Sequence, residues 1–261
     1  IPVAFLTGFL GSGKTTLLNA ALRAAPAPIG VVVNEFGAIG IDHHLVEAAD
    51  EDVVLLAGGC ACCAVRSDIA EAFERLARVR AEQGAPPLAR IVVETSGLAD
   101  PTPIEQLFVV PGAVSSRHRL DRIVTTVDAC LGAATAAADD IWRKQVALAD
   151  ALVVTKTDLA DARQRPVLDA LLDVANPHAV RREAAAGAAA LGAERLDAAR
   201  SRPRASFGYL PVHDAAIAAH ALTLQRPMDG DALSTWLETL VTQYGSRLLR
   251  MKGLVYLAGE A

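Results

Sequence analysis

The run Gly8-Phe9-Leu10-Gly11-Ser12-Gly13-Lys14-Thr15 brings three glycines, a lysine and two hydroxyls together. Glycine lets a backbone curl until successive N–H groups face one anion, and a helix opening just after such a turn adds the positive end of its dipole. The spacing is that of a phosphate-binding loop, G-x-x-x-x-G-K-[ST]. On this reading Gly8, Gly11, Ser12, Gly13 and Thr16 line the phosphates. Lys14 reaches the β- and γ-phosphates and the Thr15 hydroxyl binds Mg²⁺. A glycine-rich turn that binds nothing is the alternative, and it leaves the strand-like run before the motif and the helical run after it unexplained.

Three cysteines, Cys60, Cys62 and Cys63, follow Gly58-Gly59. Thiolates this close form a soft ligand set suited to Zn²⁺, with Co²⁺ also admissible. Three protein ligands leave a fourth position open, which suits exchange more than permanent structure. Adjacent side chains on an extended strand face opposite ways, so the glycine pair must supply a turn before Cys62 and Cys63 can meet one ion. Packing thiols and a redox pair remain alternatives. Cys130 stands alone and reads as packing. His43 and His44 are either extra ligands or solvated loop residues.

Two further motifs choose the nucleotide and complete its site. Thr155-Lys156-Thr157-Asp158 reads as [NT]-K-x-D after a late strand. A carboxylate at Asp158 can accept from both N1–H and the 2-amino group of guanine, a donor pair adenine lacks, while the Lys156 stem lies along the base. An N-cap role for Asp158 is the plainer alternative. Glu94-Thr95-Ser96-Gly97 ends another strand-like run. There Glu94 is placed to hold Mg²⁺ and Gly97 N–H to contact the γ-phosphate. Glu35, in Asn34-Glu35-Phe36-Gly37, joins Lys14 and Glu94 as a candidate catalytic residue, and Asp42 joins Thr15 and Glu94 as a candidate magnesium ligand. No water-positioning glutamine or arginine finger is evident, so slow intrinsic turnover is expected.

These motifs need a scaffold that gathers them. Short Val-, Ile- and Leu-rich runs occur at Pro2–Leu6, Ile29–Val33, Val53–Ala57, Arg90–Val93, Arg122–Val127 and Ala151–Val154, without polar alternation. Helical stretches at Thr15–Ala25, Arg66–Glu82 and Ile141–Ala149 separate several of them. That rhythm implies an α/β fold with a doubly wound, mostly parallel sheet buried on both faces, of the P-loop NTPase type. In such a sheet the loops after the strands collect on one edge. A GTPase domain over 1–185, a linker over 186–205 and a smaller α+β domain over 206–261 are expected. The last carries strands at Ala218–Leu224 and Leu254–Leu257 around a helix from Asp231 to Tyr244, and it reads as truncated.

The chain has 261 residues, 52% apolar and only 4% aromatic, so its core rests on Ala, Val and Leu. A net charge of -5 gives no footprint for nucleic acid or an anionic membrane, and no apolar run is long enough to span a bilayer. With no leader visible, the cytoplasm is the expected compartment.

Taken in order, G-F-L-G-S-G-K-T-T-L-L-N, N-E-F-G with I-D after it, G-G-C-A-C-C, E-T-S-G-L-A-D-P and T-K-T-D resemble the CobW-type metallochaperone GTPase family, and within it the YjiA-like branch. The R-P-M-D and L-L-R-M-K-G segments resemble the start of the CobW C-terminal domain. The resemblance implies GTP hydrolysis to GDP coupled to delivery of a transition metal to a metalloprotein client, with Cys60, Cys62 and Cys63 as internal metal ligands. The pattern departs at Ala38, where many relatives carry glutamate. A GTP-binding metal buffer without productive turnover is the runner-up, and a homodimer is one assembly left open.

Overall fold

Valine and isoleucine favour strands, and a strand buried on both faces needs no polar alternation. The apolar runs accordingly form β1 (Pro2–Gly8), β2 (Ile29–Asn34), β3 (Val53–Leu56), β4 (Arg90–Thr95), β5 (Arg119–Asp128) and β6 (Ala151–Thr155). The structure, a computed structural model, describes residues 1–34, 52–56, 62–109, 112–192, 222, 226–245, 248, 251 and 255–258. A further strand, β7 (Val180–Glu183), was not expected: Val-Arg-Arg-Glu carries three charges and lies half-exposed at the sheet edge. The sheet order is β3-β2-β4-β1-β5-β6-β7, and every pairing is parallel.

Helices cover both faces: α1 (Lys14–Ala24), α2 (Cys62–Glu82), α3 (Thr102–Val109), α4 (Ala113–Arg117), α5 (Gly132–Ala138), α6 (Asp140–Leu148), α7 (Gln164–Ala175) and α8 (Ala184–Gly187). The alternation along β6 shows how one strand serves two cores. Ala151 and Val153 join Leu17, Leu18 and Ala21 of α1 on one face. Leu152 and Val154 join Trp142 and Val146 of α6 and Leu168 and Leu172 of α7 on the other. Ala190 and Leu191, in the stretch expected to be linker, are completely buried in the first of these cores.

The N-terminal edge of the sheet holds a charge cluster. Asp121 Oδ2 accepts from Arg90 Nη1 and Arg122 Nε, both at 2.7 Å, and the two arginine side chains are each only 6% exposed. Burial opposes the Asp121 charge, but the two guanidiniums outweigh it and hold its carboxyl below the usual carboxylate range. Its stabilising contribution is therefore full above the unfolded value, near pH ~4, and is lost as pH falls through the lower folded value. Asp121→Asn is expected to lower stability by about 2–3 kcal/mol in urea unfolding at pH 7, because it strands two buried cations. The gap between variant and wild type should close on acidification. A gap that persisted unchanged to pH 2.5 would contradict this ion-pair origin.

The chain divides into two compact units, Ile1–Ala219 and His220–Ala261. In the second, Asp229 caps α9 (Gly230–Tyr244), its Oδ1 accepting from Asp231 N at 3.0 Å and Ala232 N at 3.2 Å. The strand expected at Leu254–Leu257 is represented among the described residues by a single parallel bridge, Met228 to Leu257. The strand expected at Ala218–Leu224 lies almost wholly outside them. Among the described residues no helix is long and apolar enough to cross a membrane.

Candidate functional site

The phosphate loop links the end of β1 at Gly8 to the first turn of α1 at Lys14. Gly8 has φ 141°, and a Cβ there would lie 2.6 Å from Thr126 O and 2.7 Å from Ser12 Oγ, so no larger residue fits. Hydroxyls pin the loop to β5 and β6, the next two strands on one side of β1. Ser12 Oγ and Thr126 Oγ1 are 2.7 Å apart, and Thr155 Oγ1 donates to Ser12 O at 2.8 Å. The first residue of the T-K-T-D motif thus holds the phosphate loop as well as leading into the turn expected to read the base. Gly11 and Gly13 also have positive φ. Lys14 is buried and its Nζ donates to Gly8 O at 3.0 Å and Phe9 O at 3.3 Å. Thr16 is exposed beside it.

The register Leu6–Glu94 across β1 and β4 brings Glu94 to the loop. Thr15 Oγ1 donates to Glu94 Oε1 at 2.8 Å, and Glu94 is 2% exposed. The two residues expected to share Mg²⁺ are therefore adjacent, and their hard oxygen donors suit that ion. Gly97 lies against the phosphate loop: a Cβ there would come within 2.6 Å of Leu10 N and 2.8 Å of Leu10 Cα. Downstream, Asp100 Oδ1 accepts from Thr102 N at 2.9 Å and its Oδ2 from Lys144 Nζ at 2.6 Å. Burial opposes the Asp100 charge, yet these bonds hold its carboxyl below the ordinary range.

At the end of β6, Lys156 has φ 54°, the one positive φ among the described non-glycine residues. Backbone strain of this kind concentrates at functional sites. The partner that holds it there is Asp128, which the sequence reading did not single out. Asp128 Oδ2 accepts from Lys156 Nζ at 2.6 Å, while Oδ1 accepts from Cys130 N and Leu131 N at 2.7 and 3.0 Å. Burial works against its charge, but the lysine and the two N–H groups keep the Asp128 carboxyl below its usual range. A carboxylate closing an apolar run in Thr126-Val127-Asp128 was the available signal. Cys130 contacts the same turn through Lys156 O at 3.8 Å. Asp158 is exposed at the rim, beyond this scaffold.

Cys60, Glu35, Asp42, His43 and His44 lie outside the described residues. Cys62 and Cys63 open α2, with their side chains outside the described set. Because all strands run parallel, β3 delivers the chain towards α2 on the same edge from which β1 delivers it to Lys14. Two strands, β2 and β4, stand between β3 and β1, so those strand ends are about 14 Å apart at ~4.8 Å per strand. Among the described residues no group of three or more His, Cys, Asp or Glu side chains is placed to hold a metal.

The family profile for the CobW/HypB/UreG nucleotide-binding domain matches residues 2–181, and that for the cobalamin synthesis protein cobW C-terminal domain matches 217–261. The chain is 30% identical to zinc chaperone YjiA of Escherichia coli over 269 aligned residues, spanning 100% of this chain and 83% of that protein. It is 33% identical to zinc chaperone CobW of a Sinorhizobium species, over 62% of this chain and 52% of that one. It is 36% identical to zinc-regulated GTPase metalloprotein activator 1 of Schizosaccharomyces pombe, over 64% of this chain and 42% of that one. The chain thus spans about half the length of the latter two. The crystal structure of Zn(II)-bound YjiA GTPase from E. coli superposes over 100% of this chain and 83% of its own, with a TM-score of 0.60 at 23% identity, a likeness of fold.

Proposed function

Because the chain belongs to the CobW/HypB/UreG family, we propose that it is a GTPase that carries zinc on Cys60, Cys62 and Cys63 and couples GTP hydrolysis to transfer of that metal to a client protein. The enzymatic step is hydrolysis of GTP to GDP and phosphate. The observation that carries the reading is the assembly at one sheet edge of Lys14, the Thr15–Glu94 pair at 2.8 Å, and Thr155, whose hydroxyl binds the phosphate loop at 2.8 Å just before Lys156 and Asp158.

Thr15, Glu94 and Asp42 are the residues that would hold Mg²⁺, which when bound offsets the charge of the β- and γ-phosphates. Lys14 supplies its ammonium to the same oxygens. Gly97 N–H donates to the γ-phosphate and loses that contact when the phosphate leaves. Glu35 is the candidate to orient the attacking water. Zinc is cargo in this scheme, held by thiolates, and Co²⁺ is the second ion that ligand set accepts. Coupling is reciprocal: if nucleotide state alters zinc affinity, zinc must alter nucleotide affinity by the same factor.

The test is phosphate release from GTP with and without Zn²⁺, in the wild type and in Cys62→Ser. Turnover of GTP but not ATP, with a rate that zinc changes in the wild type and not in the variant, is the expected result. Turnover indifferent to zinc in both proteins would remove the coupling. Binding of GTP and zinc without any phosphate release would leave a metal buffer.

A further inference from the structure

We infer that Gln145 of α6, seconded by Lys144, is a positioning residue for GTP hydrolysis: it fixes the segment Gly97–Asp100 so that the Gly97 N–H meets the γ-phosphate. The inference rests on the GTPase reading above and adds to it a clamp from a helix that carries none of the motif residues.

Gln145 is completely buried in the middle of α6. A buried glutamine needs partners for its amide, and here Nε2 donates to Gly97 O at 3.1 Å and Ala99 O at 3.2 Å. Two carbonyl acceptors also settle which way round the amide lies, because an oxygen in that place would face both of them. The neighbouring Lys144 reaches Asp100 Oδ2 at 2.6 Å. Consecutive residues of one helix therefore grip both ends of the four-residue segment after Ser96.

The clamp is itself held firmly. Thr125 Oγ1 of β5 donates to Gln145 O at 2.8 Å. Asn176, just past α7, donates through Nδ2 to Val146 O at 2.8 Å and Ala149 O at 2.9 Å at the end of α6. Asp139 caps the start of α6 by accepting from Ile141 N at 2.7 Å. Trp142 and Val146 seat the helix in the core between β6 and α7.

Gly97 is consequently trapped between two fixed bodies. The backbone of Leu10 in the phosphate loop lies on one side, too close for a Cβ, and the amide of Gln145 holds its carbonyl on the other. A residue whose Cα is abutted and whose carbonyl is anchored has little freedom left for its N–H. The γ-phosphate is the one group that distinguishes GTP from GDP there, so removing the anchor must weaken GTP more than GDP.

The experiment measures GTP-analogue and GDP affinity and single-turnover hydrolysis on the whole chain. Gln145→Met keeps the volume and removes the donor. It is expected to lower GTP affinity and the hydrolysis rate about tenfold each, roughly the effect of one to two neutral hydrogen bonds, with GDP affinity within about twofold of wild type. Lys144→Ala, at a partly exposed position, is expected to cost about threefold on GTP alone, and Lys144→Arg to restore it. Equal losses for GTP and GDP would show a packing role and overturn the inference, as would no loss for either. If Gln145→Met fails to fold by thermal melting, the Lys144 pair decides alone: loss confined to GTP supports the clamp, and no loss ends it. A wild type that binds no GTP would instead refute the GTPase reading, and the clamp with it.

Discussion

Lys14→Ala is expected to reduce single-turnover GTP hydrolysis by at least about 10³-fold, the largest effect of any single substitution in the chain. The reason lies in how the ammonium is stored. Lys14 is 7% exposed, and its Nζ is held by Gly8 O and Phe9 O at the start of the phosphate loop. Its charge is therefore already at the loop expected to take the phosphates, in a dry setting where an ion–phosphate bond is worth far more than in water. A phosphate entering the loop gains that cation with little side-chain ordering left to complete. The alanine variant keeps the backbone N–H groups and the hydroxyl ties of Ser12, Thr126 and Thr155, so the loop persists and GDP should still bind, more weakly. Rapid-quench kinetics with saturating GTP, alongside a GDP titration, separates the two effects. Hydrolysis within tenfold of wild type would mean that Lys14 does not face the γ-phosphate.

Asp158→Asn is expected to lower GTP affinity by about 10³-fold and to raise that for XTP. Guanine presents N1–H and a 2-amino group, both donors, to a carboxylate that only accepts. An amide puts a donor against one of them and leaves a polar pair unmade. Xanthine has a carbonyl where guanine has the amino group, so the same amide then matches it. The exchange should leave the fold intact, because Asp158 is exposed and the turn is shaped without it. Lys156 is held by Asp128 at 2.6 Å and Thr155 by its bond to Ser12 O. Competition binding of GTP, XTP and ATP reads the outcome. Equal loss for every nucleotide would indicate a damaged turn, and unchanged GTP binding would move guanine recognition elsewhere.

How far the sequence carried depended on whether a feature was local or relational. Six strands were legible because an uninterrupted Val/Ile/Leu run has one stable home, a sheet covered on both faces. β7 was not, because Val-Arg-Arg-Glu can form a strand only when β6 is there to pair with it. The phosphate loop was legible since its chemistry needs glycines, lysine and a hydroxyl at fixed offsets. Asp128 and Gln145 are as deeply involved in holding the site, but each acts on a segment distant in sequence: Asp128 on Lys156, and Gln145 on Gly97 and Ala99. A single Asp or Gln in an apolar stretch gives no hint of which distant loop it holds. The first of the two cores likewise extends to Leu191 because Ala and Leu there happen to meet α1 and β6, which composition alone did not reveal.

The same contrast bears on the coupling of metal to nucleotide. About 14 Å of sheet edge separates the end of β3 from that of β1, at ~4.8 Å per strand, so the two strand ends are not themselves in contact. The segment that follows β4, one strand from β1, is the one gripped by α6. In the proposed scheme the influence of GTP on zinc is carried by loops that respond to the γ-phosphate.

The most direct test is a zinc titration against a chromophoric competitor, with the protein loaded either with a non-hydrolysable GTP analogue and Mg²⁺ or with GDP and Mg²⁺. A difference in zinc affinity of about fivefold or more between the two forms, abolished in Cys62→Ser, is the predicted result. Identical zinc affinity in both nucleotide states would contradict the coupling of GTP hydrolysis to metal transfer.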